Sequence, residues 1–348
     1  MLSFKEKYLK YKEKYIRLQK KLNGGASFIT SNLNENKTPA LSWAETNGHG
    51  NENNNKLAKI QNGDNVLLII DPQVDFHEEG SLAVAGANAD STRIAQYINK
   101  LGSKIDHIII SFDTHNHEHI AHSKTWENKP KVNETYMVPY TYNPTPFTLI
   151  SYDNIKEEKW IPSAKAIENG ITKEWALDYT YNLEKQGKYK LIIWPEHCII
   201  NSNSGETDGH KLSPILQKAI EEWEKENSKE VINLYKGMNN RTEMYSIIKA
   251  EVLDPNDSLE TGRNMHLLAA LEKASNVYIC GQAKSHCVKA STEDILDYFI
   301  EEGKLISSVT LFEDGMSAVG GYEVQATEFI NGLKDKGVNV EKIQDILS

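Results

Sequence analysis

Three cysteines in 348 residues, Cys198, Cys280 and Cys287, are too few and too odd a set for a disulfide framework. Their scarcity points to a reducing compartment, the cytoplasm. Long apolar runs are missing too: no stretch approaches the roughly eighteen residues of a membrane-spanning helix. The first residues lack the apolar core and small-residue cleavage site of a secretory leader. Positive charge is in deficit, since 39 Lys and Arg against 49 Asp and Glu leave a net charge of -10 at pH 7. That balance excludes nucleic acid as a partner for the body of the protein. What is present, 39% hydrophobic and 25% charged residues, suits a globular chain able to bury one large core or two small ones.

The charge is unevenly spread. In residues 1–23, Phe4, Tyr8, Tyr11, Tyr15, Leu18 and Leu22 alternate spacings of four and three, amid eight basic and two acidic side chains up to Leu22. This pattern predicts a basic amphipathic helix that packs on its own domain or on a second copy of the chain. Helices of this kind also settle on membrane surfaces and polyanions. The segment resembles the Lys/Tyr-rich leaders of many proteins of large DNA viruses. Residues 24–64 are rich in Asn, Gly, Ser and Thr, with NENNNK typical, and read as a linker that buries too little to fold. The folded domain is expected at 65–348.

Its first strand, Asn65 to Ile70 (NVLLII), is a continuous apolar run of the kind buried on both faces of a parallel sheet. It ends in DPQVDF, which puts Asp71 at the C-terminal end of an inner strand, where open α/β sheets place their ligands. Asp71 is there either a helix cap or a catalytic base. A helix from Ala87 to Leu101 leads to a second strand, Ile105 to Phe112. That strand runs into FDTHNHEHIAH, with Asp113, His115, His117, His119 and His122 within ten residues. Asp113 and His115 alternate in the extended direction and share a face. Five potential ligands so close together are rarely packing, and a solvated histidine-rich loop is the alternative reading of the run. A further histidine, His197, follows the strand-like run KYKLIIWPEHC. Two imidazoles and one carboxylate with open positions suit a catalytic Zn, Mn or Fe(II) site better than Ca or Mg.

Two more strand ends carry chemistry. EVINLY runs into KGMNNRTEMYS, placing Lys236 at a strand terminus, where burial beside a carboxylate and a thiol would keep it charged and pull the thiol pKa down. NVYIC passes through GQAKSHC into a helical pattern from Val288 to Ile300, so Cys287 opens a helix. Free N–H groups there favour a thiolate and provide donors for an oxyanion. Taken singly, a surface lysine and a buried structural cysteine are the plainer readings. Leu305 to Phe312 predicts a further strand, Tyr322 to Lys336 a helix, and GVNV a last short strand. The sum is an open, mostly parallel six-stranded sheet with helices on both faces.

IIDPQVDF with GSLAVAGA after it, then D-x-H, WPEHC, YKG with E-x-Y-S, and finally GQAKSHC occur in order from about Asn65 to Ile343. Together they resemble the nicotinamidase branch of the isochorismatase-like cysteine hydrolases. The resemblance implies a catalytic triad of Asp71, Lys236 and Cys287, and metal ligands Asp113, His115 and His197, with His119 a further candidate and zinc the first choice of ion. It implies a cis bond between Ala283 and Lys284, an oxyanion hole from the N–H groups of Ala283 and Cys287, and Phe76 and Trp194 as walls for a pyridine ring. The implied reaction is hydrolysis of nicotinamide to nicotinate and ammonia through a cysteine thioester, a step of NAD metabolism. Another small carboxamide or ester on the same scaffold is the alternative substrate. An inactive scaffold acting through its N-terminal helix is the alternative from a different class. The chain departs from compact members of the branch by Ser285, where many carry Asp, and by an insert at about 124–190. That insert is expected to be ordered and either to cover the pocket or to form a homo-oligomer contact.

Overall fold

The computed structural model describes residues 50–128, 142–201 and 205–348. The expected helix at 1–23, the linker as far as 49 and part of the insert lie outside the described residues.

Six strands form one sheet: β1 (Asn65–Ile70), β2 (His107–Asp113), β3 (Ile232–Lys236), β4 (Asn276–Gly281), β5 (Val309–Phe312) and β6 (Asn339–Glu341). Their order is β6-β5-β4-β1-β2-β3, and every neighbouring pair is parallel. The chain therefore builds outward from β1 in one direction and from β4 in the other. The strand order reverses between these two central strands, and crevices for ligands open beyond the C-terminal ends at such a point.

The alternation within NVLLII explains why the sheet is covered twice. Leu67 and Ile69 face one core with Ile94, Tyr97 and Ile98 of helix α2 (Ala87–Leu101), as well as Leu216, Ile220 and Trp223 of a later helix, Pro214–Asn227. Val66, Leu68 and Ile70 face the other core with Leu267, Leu268 and Leu271 of helix Met265–Lys273, Val288 and Ile295 of helix Cys287–Glu301, and Phe329 and Ile330 of helix Glu323–Asp335. A strand buried on both faces is apolar along its buried length, and β1 is so from Val66 to Ile70.

Two expectations need correction. The linker does not extend to residue 64: Asn51–Leu57 is a helix, α1, and Leu57 and Ile60 are buried in the larger core. The Asn-rich composition hid these two apolar anchors, and Asn53 is itself buried, donating to the Asn233 carbonyl. The strand expected over 305–312 forms only as Val309–Phe312, because Ile306–Ser308 makes a 3-10 turn and Leu305 points outward. The described residues of the insert form regular elements. Trp126–Asn128 pairs antiparallel with Trp160–Pro162, and Lys173–Gln186 is a helix capped by the Thr172 side chain. No helix among the described residues is long and apolar enough to cross a membrane.

Candidate active site

The sheet brings four strand ends together. Asp71 follows β1, Asp113 ends β2, Lys236 ends β3, and the turn after β4 leads to Cys287 at the first position of the helix Cys287–Glu301. All four side chains are buried.

Lys236 is the hub. Its ammonium lies 2.9 Å from Asp71 Oδ2 and 2.9 Å from Asp113 Oδ1. It also donates to the Met244 carbonyl at 3.0 Å and approaches Cys287 Sγ at 3.6 Å. Asp71 and Cys287 thus share Lys236 as a partner. Asp71 has a left-handed backbone, φ 44, a conformation uncommon outside glycine. Ser111 holds it there, donating its hydroxyl to Asp71 Oδ1 at 2.6 Å while the Asp71 N–H reaches the Ser111 carbonyl at 3.1 Å. The glycine after Lys236 is required by close approach: a Cβ on Gly237 would meet His115 Cε1 at 2.6 Å and Asp113 Oδ1 at 2.8 Å.

The charges sort themselves by these contacts. Burial opposes ionisation of Lys236, but Asp113 and Asp71 overcome it and hold the ammonium well above its ordinary pKa. Burial likewise opposes the Asp113 carboxylate, which His115 and Lys236 nonetheless keep well below the usual range. For Asp71 burial prevails over Lys236, and its pKa is raised. The expectation for Cys287 is corrected: burial, joined by Asp71 and Asp113, outweighs Lys236, so the pKa rises rather than falls. The resting group is a thiol facing a carboxylate, which calls for a base at the moment of attack.

Asp113 turns its other oxygen to a second cluster. His115 Nε2 lies 2.9 Å and His197 Nε2 3.3 Å from Asp113 Oδ2. Each ring is oriented from behind by a backbone carbonyl, His115 Nδ1 at 3.0 Å from Gly237 O and His197 Nδ1 at 2.8 Å from Pro195 O. With Nδ1–H donating, both Nε2 lone pairs converge with the carboxylate oxygen, the donor set and outer support of a transition-metal site. The three residues therefore fit a metal ion, and their ligand atoms lie within 4.8 Å of one another. His119 is differently placed. Its Nε2 is 3.1 Å from the Thr242 carbonyl and its Nδ1 accepts from the Ala121 N–H at 3.3 Å, while its ring lies against His115 with centroids 4.2 Å apart. His122 donates from Nδ1 to the Asn116 carbonyl at 3.0 Å. His117 lies toward the surface against Glu196 and Asn201.

Between the clusters opens a cleft lined by Phe76, Trp194, Asp113, His197, Ala283 and Cys287 among others. Phe76 stands edge-on to His197, centroids 5.4 Å apart, and Trp194 Nε1 donates to the Tyr245 hydroxyl at 3.1 Å. The cis bond lies between Gln282 and Ala283, one residue earlier than expected. β4 ends at Gly281 and the Gln282 N–H still reaches the Ile70 carbonyl, so the turn starts directly after that contact. The N–H groups of Ala283 and Cys287 find no acceptor among the described residues.

Comparison with solved structures finds the nicotinamidase pyrazinamidase of Acinetobacter baumanii at a TM-score of 0.51 and 19% identity, covering 82% of this chain and 99% of that one. The yeast nicotinamidase bound to the inhibitor nicotinaldehyde matches at a TM-score of 0.50 and 18% identity, covering 80% and 99%. The chain has the isochorismatase-like fold of the nicotinamidases and pyrazinamidases. In sequence, 74 residues are 38% identical to the nicotinamidase of Acinetobacter baylyi, 21% of this chain and 32% of that relative, so the match spans about a third of its length. No protein-family model matches the chain.

On this nicotinamidase-like fold, several residues near the site were given no role in the sequence reading, although Glu243 and Tyr245 belong to its E-x-Y-S motif. Glu243, Tyr245 and His286 also line the cleft, and Ser111, Gln73 and His210 stand behind it. Ser111 had a signal: a hydroxyl inside the apolar run of β2, two residues before Asp113 and hence on the same face. The insert supports the loop after Lys236, with Trp175 Nε1 donating to the Arg241 carbonyl at 2.8 Å, and the turn before Cys287, with Tyr189 stacked on His286 at 5.9 Å between centroids.

Proposed function

We propose that the chain is a metal-dependent cysteine amidohydrolase whose substrate is nicotinamide, released as nicotinate and ammonia. The observation that carries this reading is that Lys236 joins Asp71, Asp113 and Cys287 at one point, and that Cys287 lines the same cleft as Asp113 and His197, two members of the donor set completed by His115. Phe76 and Trp194 both line this cleft and offer apolar faces for a heteroaromatic ring.

Asp71 takes the thiol proton as Cys287 Sγ bonds to the carboxamide carbon, and Lys236 stabilises the sulfur and the carboxylate through the exchange. The free N–H groups of Ala283 and Cys287 donate to the oxygen of the tetrahedral intermediate, where such donors are typically worth on the order of 3 kcal/mol. Asp71 returns its proton to the departing nitrogen, and ammonia leaves. A water then adds to the thioester carbon, Asp71 accepts its proton, and the acid departs as the thiol is restored. Zinc, the first choice for two imidazoles and a carboxylate, with Mn or Fe(II) as alternatives, would supply a Lewis acid for the ring nitrogen. Another small carboxamide would follow the same steps.

Ammonia release from nicotinamide, with and without a chelator, tests the reading. Turnover that the chelator abolishes and zinc restores supports it, and no turnover by the zinc-loaded protein contradicts it.

A further inference from the structure

One buried side chain behind the cleft has an unusual set of partners. Gln73, fully buried in the DPQVDF run, accepts the Asp113 N–H on Oε1 at 2.7 Å and donates from Nε2 to the Asp113 carbonyl at 2.7 Å. Its second Nε2 hydrogen goes to the His210 carbonyl at 2.9 Å. Both amide hydrogens are spent, and the backbone of one residue is gripped from both ends.

The sheet explains why such a grip is needed. β1 and β2 pair as far as Ile69 with Ile110, and the last contact between them is the Asp71 N–H to the Ser111 carbonyl. Asp71 then turns the chain out of the sheet through its left-handed backbone. On that side Asp113 has no strand neighbour, although its other edge pairs with Lys236 of β3. The Gln73 amide occupies the vacated edge and makes the two bonds a strand would have made. Thr114, the next residue, is held from the same direction. Its hydroxyl is 2.9 Å from His210 Nε2, and His210 Nδ1 is 2.7 Å from Glu206.

Given the metal reading above, on which this rests, we infer that Gln73 is a positioning residue that substitutes for a missing strand at Asp113 and thereby fixes how its carboxylate is divided between Lys236 and the metal. The division needs a fixed main chain, because Oδ1 reaches Lys236 at 2.9 Å while Oδ2 faces His115 at 2.9 Å and His197 at 3.3 Å. A rotation of the Asp113 backbone would trade one set of contacts for the other. Partners behind metal ligands typically set affinity by roughly 10- to 100-fold.

The test is the zinc affinity of Gln73→Leu and Gln73→Glu in the full-length protein, measured by competition with a chromophoric chelator. Leu268→Ala, a cavity in the core on the opposite flank of the sheet from α2, serves as a control for lost stability alone. Leucine removes all three bonds. Glutamate keeps the acceptor and sets an oxygen against two carbonyls. The expected result is a loss of at least tenfold in zinc affinity for both Gln73 variants and wild-type affinity for Leu268→Ala. Wild-type affinity in Gln73→Leu, or an equal loss in Leu268→Ala, overturns the inference and leaves the metal reading standing. Failure of the wild type itself to bind zinc overturns both.

Discussion

The carboxylate of Asp113 and the ammonium of Lys236 lie 2.9 Å apart, both buried, at adjacent ends of β2 and β3. One oxygen of Asp113 thus faces the lysine of the proposed triad and the other the proposed metal. Two centres that look separate in sequence share a side chain.

Removing that shared charge should disable both. Asp113→Asn is expected to lower bound zinc and to reduce nicotinamide turnover by roughly a thousandfold or more, as for groups acting as a unit. Elemental analysis alongside ammonia release checks it. A variant that loses zinc yet regains full turnover when zinc is added in excess would show that Asp113 serves the metal alone.

The histidines should separate by their partners. His197→Ala removes a converging lone pair and should weaken zinc binding by roughly tenfold or more. His119→Ala should leave zinc content intact, since both of its ring nitrogens are engaged by the backbone, and lower the thermal midpoint instead. Zinc titration of the two variants decides, and equal zinc loss in both would make His119 a ligand.

How much of this was legible in advance depends on the physics of each part. β1 and β2 announced themselves because strands buried on both faces are apolar runs, and the reactive groups fell at their ends because that is where such sheets open. Asp71, Lys236 and Cys287 could therefore be placed at one edge of the sheet. Their electrostatic balance could not, because burial is a property of the assembled site: Cys287 sits behind two carboxylates and one lysine, and only coordinates reveal which prevails. Gln73 and His210 were illegible for a related reason. Glutamine and histidine in a loop look solvated until the chain folds over them. Leu57 and Ile60 were lost among asparagines, a case where two anchors outweigh a composition.

The junction between the insert and the body carries a pH dependence of its own. Burial, with Asp294 and Glu243 nearby, raises the Glu251 pKa from 4.5 to about 8. Between these values the folded protein keeps a proton that the unfolded chain releases, so stability falls as pH rises through this window and levels off above about 8. Glu251→Gln should flatten the fall. Urea midpoints of wild type and variant at about pH 6 and about pH 9 check the sign. A wild-type midpoint that climbs over this range would contradict it.

The whole account turns on a sulfur nucleophile, and Cys287→Ala reaches it most directly. Ammonia release from nicotinamide by this variant, loaded with zinc to the wild-type level and shown by circular dichroism to be folded, is predicted to fall to background while the wild type turns over. Release at the wild-type rate by the folded, metal-loaded variant would contradict the account.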